Sequence, residues 1–181
     1  NEIKGKTLGI IGLGAIGALV ANAAIALGMQ VVGTDPFLSV GAALRLNPAV
    51  KIVKDSDGVF AAADYLTIHV PFNNDTKGMI NAETIAKMKD GVLLINTSRG
   101  PLIVEEDLAA ALQSGKVAGA GLDVLAVEPA RMDNPLLKEE NCLVTPHIAW
   151  APKESRQRLM DIAVENLKAF LAGAPQNVVN A

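Results

Sequence analysis

Arg99, Glu128 and His147 are the residues whose types and order suggest chemistry. Arg99 stands in Asn96-Thr97-Ser98-Arg99-Gly100, Glu128 in Leu125-Ala126-Val127-Glu128-Pro129, and His147 in Thr145-Pro146-His147-Ile148-Ala149-Trp150. A planar guanidinium grips a carboxylate through two parallel hydrogen bonds. It also polarises an oxygen on which negative charge develops. An imidazole, with an ordinary pKa of about 6.5, gives or takes a proton near neutral pH. A carboxylate beside it favours imidazolium and raises that pKa. Such a set suits reduction of a keto group next to a carboxylate, provided a hydride donor is held against it. Each residue alone has a plainer reading: a surface ion pair for Arg99, a solvated side chain for Glu128, a structural role for His147.

A place for the donor lies upstream. Gly12-Leu13-Gly14-Ala15-Ile16-Gly17 matches G-x-G-x-x-G, and it follows a strand-like run and opens a helix-like one. That context gives the match its meaning. Gly12 allows a tight turn, Gly14 lets a pyrophosphate approach the backbone, and Gly17 lets the helix pack close to the strand. Free N–H groups and the helix dipole then hold the anion. Asp35 ends the next apolar run, near the ~20-residue spacing expected of an acid that accepts hydrogen bonds from the adenosine ribose. A carboxylate there repels a 2′-phosphate, and Pro36-Phe37-Leu38 brings no arginine to replace it. NAD is therefore expected over NADP. The plainer reading of Asp35 is a turn aspartate before Pro36.

These residues need a scaffold, and the chain alternates short apolar runs with helix-like segments from end to end. Thr7–Ile11, Gln30–Thr34, Tyr65–His69, Val92–Asn96, Ala118–Asp123 and Cys142–Thr145 read as strands. Ala15–Leu27 reads as a helix stopped by Gly28, and Ala82–Lys87 as a short one. Glu105–Ser114 opens on three acids that suit a positive helix start and ends at Gly115. A last helix starts at Pro152, with Leu159, Ala163, Leu167 and Phe170 on one stripe, and ends at Gly173. Within Ser39–Ala63 a helix near Val40–Leu46 and a strand near Lys51–Val53 are the weakest readings. Strands apolar on both faces, alternating with helices, imply α/β architecture: a doubly wound parallel sheet, the Rossmann fold, as one domain over 1–181. In such sheets ligands bind beyond the carboxyl ends of the strands, where Arg99, Glu128 and His147 all fall.

Composition narrows the function. Half of the 181 residues are apolar, yet no run approaches the roughly 20 uninterrupted apolar residues of a membrane span. The net charge is −3 with no basic block, which argues against nucleic acid. The polar start shows no signal peptide, and the lone Cys142 cannot form an internal disulfide, so a reducing cytoplasm is expected. Cys142 itself reads as a core residue. No Cys/His cluster suggests a metal. Arg156 and Arg158 read as a solvated helix face. Trp150 reads either as the floor of a substrate pocket or as a cap on the core.

The chain resembles the D-isomer-specific 2-hydroxyacid dehydrogenases along essentially its whole length. The likeness runs through Lys6-Thr7-Leu8-Gly9-Ile10-Ile11-Gly12 and the glycine loop, His69-Val70-Pro71 with Thr76, Met88-Lys89-Asp90-Gly91, and the Arg99, Glu128 and His147 segments. The resemblance implies that Arg99 binds substrate, that Glu128 pairs with His147, and that His147 is the acid/base. It places Gly14 to Ile16 and Thr76 along the cofactor phosphates. Asp35 with Pro36 falls at the adenosine ribose, Asp123 at the nicotinamide carboxamide, and Thr97 and Ser98 on the nicotinamide side. His69, Val70, Pro71 and Ala149 also fall at the cofactor, although His69 reads equally well as structural. Family members dimerise through this domain, so a homodimer is expected. The substrate would be a small 2-keto or 2-hydroxy acid, of the 3-phosphoglycerate, glycerate/hydroxypyruvate or glyoxylate type.

Two departures from the family matter. Its members carry a preceding segment that makes most of a substrate domain, so this chain alone is expected to bind cofactor with little turnover. The stretch Leu27–Val40 resembles short bacterial phosphoglycerate dehydrogenases, whereas His147–Trp150 and Arg156–Leu159 resemble glycerate dehydrogenases, also called hydroxypyruvate reductases. A hybrid joined near Gly91 is one reading of that difference. A NAD(H)-sensing module without turnover, as in corepressors that resemble the family, is another function open at this point, as is an excised scaffold domain.

Overall fold

The structure, a computed structural model, describes residues 2–179. Seven strands form one parallel sheet: β1 (Thr7–Ile11), β2 (Gln30–Thr34), β3 (Lys51–Ile52), β4 (Tyr65–Ile68), β5 (Val92–Asn96), β6 (Val117–Leu122) and β7 (Cys142–Val144). Their order is β3-β2-β1-β4-β5-β6-β7. The helices are α1 (Ala15–Ala26), α2 (Val40–Ala43), α3 (Ser56–Ala62), α4 (Ala82–Ala86), α5 (Glu105–Ser114) and α6 (Lys153–Leu171). This is the expected doubly wound Rossmann sheet. The winding reverses between β1 and β4, which opens a crevice at the carboxyl ends of those two strands.

The two-residue side-chain period of a strand divides the apolar residues between the sheet's faces. On β1 and β2, Leu8, Ile10 and Val31 join one core with Leu13, Ala21 and Ala24. Ile11 and Val32 join another with Leu66, Ile68, Leu94, Leu108 and Leu122. Both cores are built almost wholly from aliphatic side chains. That explains how a chain with 3% aromatic residues still buries its helices tightly.

Several boundaries differ from the sequence reading. Gly28 and Gly115 take the left-handed conformation of helix stops, as expected. β6 begins one residue early, and Pro152 precedes α6 as its cap instead of opening it. Helix α3 has no counterpart in the sequence pattern. Asp55 caps it by accepting from the Gly58 amide at 3.1 Å, and Val59 and Phe60 bury its inner face. Gly58 within a Ser-Asp-Gly run looks like a turn, and propensity alone misses such a helix.

The chain divides into two compact units, Asn1–Pro146 and His147–Ala181. The sheet lies wholly in the first, and α6 makes up most of the second. The expected apolar stripe of α6 is present but uncovered: Leu159, Leu167 and Phe170 are 54%, 59% and 67% exposed. Periodicity shows which face of a helix wants burial, not which element supplies it. Among the described residues no helix is long and apolar enough to cross a membrane.

Candidate cofactor crevice and active-site wall

Steric limits on the glycine loop define the crevice. Gly12 has φ +94°, and a Cβ there would lie 2.6 Å from the carbonyl oxygen of His69. A Cβ on Gly17 would collide with the carbonyl oxygen of Gly12. Both positions therefore require glycine, one for the turn and one for the close approach of α1. Gly14 differs, because nothing lies within 4 Å of where its Cβ would be. It is the N-cap of α1 and brings no side-chain cap, so the first-turn N–H groups face open space. An open position at the positive end of a 12-residue helix fits a diphosphate.

Asp35 lies against this loop. Its Oδ2 accepts from the Leu13 amide at 3.0 Å and its Oδ1 from the Phe37 amide at 2.9 Å. The acid read as the ribose partner is thus fixed beside the glycine loop, with Pro36 exposed next to it.

On the other side of the crevice, the His69 amide donates to the Ile11 carbonyl at 2.7 Å, and Val70 packs beneath Gly12. The His69 ring is half-buried, with Nε2 3.1 Å from the Thr67 hydroxyl. Burial lowers its pKa from the ordinary value. Below about pH 6.5 the unfolded chain takes up a proton that the native ring resists. This share of stability is therefore full above the ordinary pKa and declines as pH falls toward the native one. Urea unfolding near pH 7.5 and near pH 5.5 should show a smaller acid loss in His69→Gln than in the wild type. Equal losses would contradict a neutral buried ring.

Two residues expected at the cofactor use their hydroxyls on the scaffold. Thr76 donates to the Pro71 carbonyl at 2.7 Å and accepts from the Asn73 amide at 2.9 Å, which staples the exposed loop that carries Pro71. Ser98 donates to the Ile68 carbonyl at 2.7 Å and ties the end of β5 to that of β4. Asn96, which sequence reasoning passed over, is fully buried. Its Nδ2 donates to the Arg99 carbonyl and its Oδ1 accepts from the Ser98 amide, both at 2.9 Å. The turn bearing Thr97 and Arg99 is thereby set by one buried amide. The Arg99 side chain is exposed, with Nη1 on the Ser98 carbonyl at 2.7 Å.

The wall beyond this turn comes from the segment after β6. Buried Asp123 takes a hydrogen bond from the Thr145 hydroxyl at 2.5 Å, and its amide donates to the Asn96 carbonyl at 2.9 Å. Glu128 is exposed, and its Oε1 accepts from the Leu125 amide at 3.1 Å. Gly100 packs directly on the Leu125–Ala126 peptide, where a Cβ would overlap backbone atoms. Arg99 and Glu128 are therefore carried by two segments in backbone contact.

His147 and Ala149 belong to the second unit. His147 has φ +54°, an uncommon conformation for a residue with a side chain. The Trp150 indole donates to its carbonyl at 2.9 Å. Trp150 thus holds the His147 turn, a use that neither sequence reading foresaw. Half-buried Cys142 is not a nucleophile candidate: burial and the nearby Glu139 push its thiol up to about 11. Among the described residues no group of three or more His, Cys, Asp or Glu side chains is placed to hold a metal.

The NAD-binding domain profile of the D-isomer specific 2-hydroxyacid dehydrogenases matches residues 1–149. The chain belongs to that family. It is 52% identical to a hydroxypyruvate reductase of Blautia hydrogenotrophica over 99% of its own length and 54% of that protein. A D-3-phosphoglycerate dehydrogenase of Archaeoglobus fulgidus is 43% identical over 99% of the chain and 34% of the relative. Among solved structures, the NAD-complexed D-isomer specific 2-hydroxyacid dehydrogenase of Lactobacillus delbrueckii superposes with TM-score 0.89 at 32% identity, covering 99% of this chain and 58% of that one. The chain spans about half the length of the hydroxypyruvate reductase and of the Lactobacillus delbrueckii enzyme, and about a third of the phosphoglycerate dehydrogenase. In this NAD-binding domain the open Gly14 position, the uncapped start of α1 and the fixed Asp35 carboxylate fit the cofactor's diphosphate and adenosine ribose.

Proposed function

We propose that this domain is the cofactor-binding and acid–base half of a dehydrogenase that interconverts 2-keto and D-2-hydroxy acids, with the hydroxypyruvate/glycerate pair as the first substrates to try. The observation that carries this reading is the Asp35 carboxylate held on the Leu13 amide, beside an open helix start. Bound nicotinamide supplies or takes up the hydride. The Arg99 guanidinium takes the substrate carboxylate. His147 gives a proton to the carbonyl oxygen in reduction and removes it in oxidation. Asp123 is the acceptor for the nicotinamide carboxamide, and Thr97 lies on that side. The Thr76 loop shapes the rim through Pro71.

The relatives found carry dehydrogenase and reductase names, which weighs for catalysis over a NAD(H)-sensing module. One hydroxypyruvate reductase aligns across both halves of the chain, which supports a continuous chain over a hybrid joined near Gly91. The outward face of α1 supports a homodimer. Ile16 and Leu19 on α1 and Leu27 at its C-cap are exposed, the helix is apolar nearly all round, and such helices are usually covered. A reducing cytoplasm suits the single Cys142 thiol.

Calorimetric titration with NADH and NADPH tests the cofactor reading. NADH should bind about 10²-fold more tightly or better, since lost ribose bonds and added repulsion amount to a few kcal/mol at ~1.4 kcal/mol per tenfold. Asp35→Ala should narrow the ratio. Equal affinities in the wild type would sink the reading, and an unchanged ratio in the variant would clear Asp35 of the selection.

A further inference from the structure

Three acids open α5, and a helix start needs only their charge. Asp107 reaches the amide of Ala82 at 2.8 Å and so ties α5 to α4. Glu105 reaches the other way. Its Oε1 accepts from the Ala126 amide at 2.8 Å and its Oε2 from the Asn134 side-chain amide at 2.9 Å. Asn134 is itself buried and accepts from the Leu136 amide at 3.0 Å, which anchors the 3-10 turn Pro135–Lys138. One carboxylate thus holds both ends of the exposed loop 126–134, and Glu128 lies inside that loop.

A second contact reaches the same place. The Leu125–Ala126 peptide is packed on one side by Gly100, next to Arg99, and its Ala126 amide is held by Glu105. The Leu125 amide donates to Glu128 itself. Charge-assisted hydrogen bonds are about twice as strong as neutral ones. By contrast, the loop's exposed Arg131–Asp133 pair is of a kind that fixes little.

We propose that Glu105 is a positioning residue: it clamps the loop carrying Glu128 to the segment carrying Arg99, and so sets the place of the Glu128 carboxylate relative to the substrate-binding guanidinium. The assignment of Glu128 to acid–base support rests on the proposed function; the clamp does not. Hydrogen exchange and carboxylate carbon resonances of the 181-residue chain test it in wild type, Glu105→Ala and Glu105→Gln. In Glu105→Ala the Ala126 amide should exchange at least about tenfold faster, given the loss of a hydrogen bond to a charged group. The Glu128 carboxylate carbon resonance should shift, while amides of β1 and α1 and the NADH affinity stay within about twofold. Glu105→Gln keeps an acceptor for Ala126 but not for Asn134, and should restore most of the Ala126 protection and of the Glu128 resonance while the Asn134 side-chain amide exchanges faster. If Glu105→Ala unfolds, Glu105→Gln carries the test through the Asn134 side-chain amide. Unchanged Ala126 exchange or an unmoved Glu128 resonance in Glu105→Ala, an unchanged Asn134 side-chain amide in Glu105→Gln, or a glutamine variant as impaired at Ala126 as the alanine one would each overturn the proposal. A wild-type chain that fails to bind NADH would instead strike at the functional reading and leave the exchange result to stand.

Discussion

Gly14→Val should abolish NADH binding and leave the fold nearly intact. The space a valine would fill is open in this structure, so the folded chain accepts the side chain without collision. The residue is in extended backbone, which valine tolerates. Its cost as a poor N-cap is on the order of 1 kcal/mol or less relative to glycine. The same space is where a diphosphate must approach the first-turn N–H groups. Excluding it should lower affinity by about 10²-fold or more, roughly 3 kcal/mol. Gly17→Ala provides the contrast: its single methyl would press on the Gly12 carbonyl and should unsettle the fold itself. Thermal unfolding and NADH fluorescence on both variants separate the two effects. Native NADH affinity in Gly14→Val would remove the phosphate-loop assignment.

The second large effect belongs to His147. In a fusion with the half of the hydroxypyruvate reductase that this chain does not cover, hydroxypyruvate reduction should become measurable, and His147→Ala should lower kcat by about 10²- to 10⁴-fold. The positive φ at His147 means that alanine also disturbs the backbone. His147→Asn controls for this, because asparagine tolerates the left-handed conformation but supplies no proton at neutral pH. Both variants should fail alike if the imidazole is the acid. A His147→Asn enzyme with native kcat would show that only the turn mattered.

What the sequence made legible was whatever recurs locally. Gly12, Gly14, Gly17 and Asp35 follow from the spacing of a loop, a helix and the next strand, and the structure puts all four at one crevice. The strands showed as aliphatic runs bounded by glycine and polar residues. Arg99 stands out by its type and its place after a strand, but the buried Asn96 that shapes its turn does not, because Asn96 looks like the last residue of any strand. The bonds by which Thr76 and Ser98 hold the scaffold are not legible in the sequence, since a hydroxyl's bond to a nearby carbonyl leaves no periodic trace. Glu105 shows the limit most clearly. Its acidity suits a helix start, and only the folded chain reveals that its oxygens serve residues on a distant loop.

The two aliphatic cores on opposite faces of the sheet are unequal, and the phosphate loop is rooted in the smaller one through Leu13. Cooperative units with fewer buried contacts open more readily than the molecule as a whole. Ile11 and Val32 tie β1 and β2 into the larger core as well, so it is the loop and α1 that the smaller core holds alone. A ligand that binds only the folded loop stabilises it by mass action. Cofactor binding thus doubles as a lock on the more lightly held start of α1.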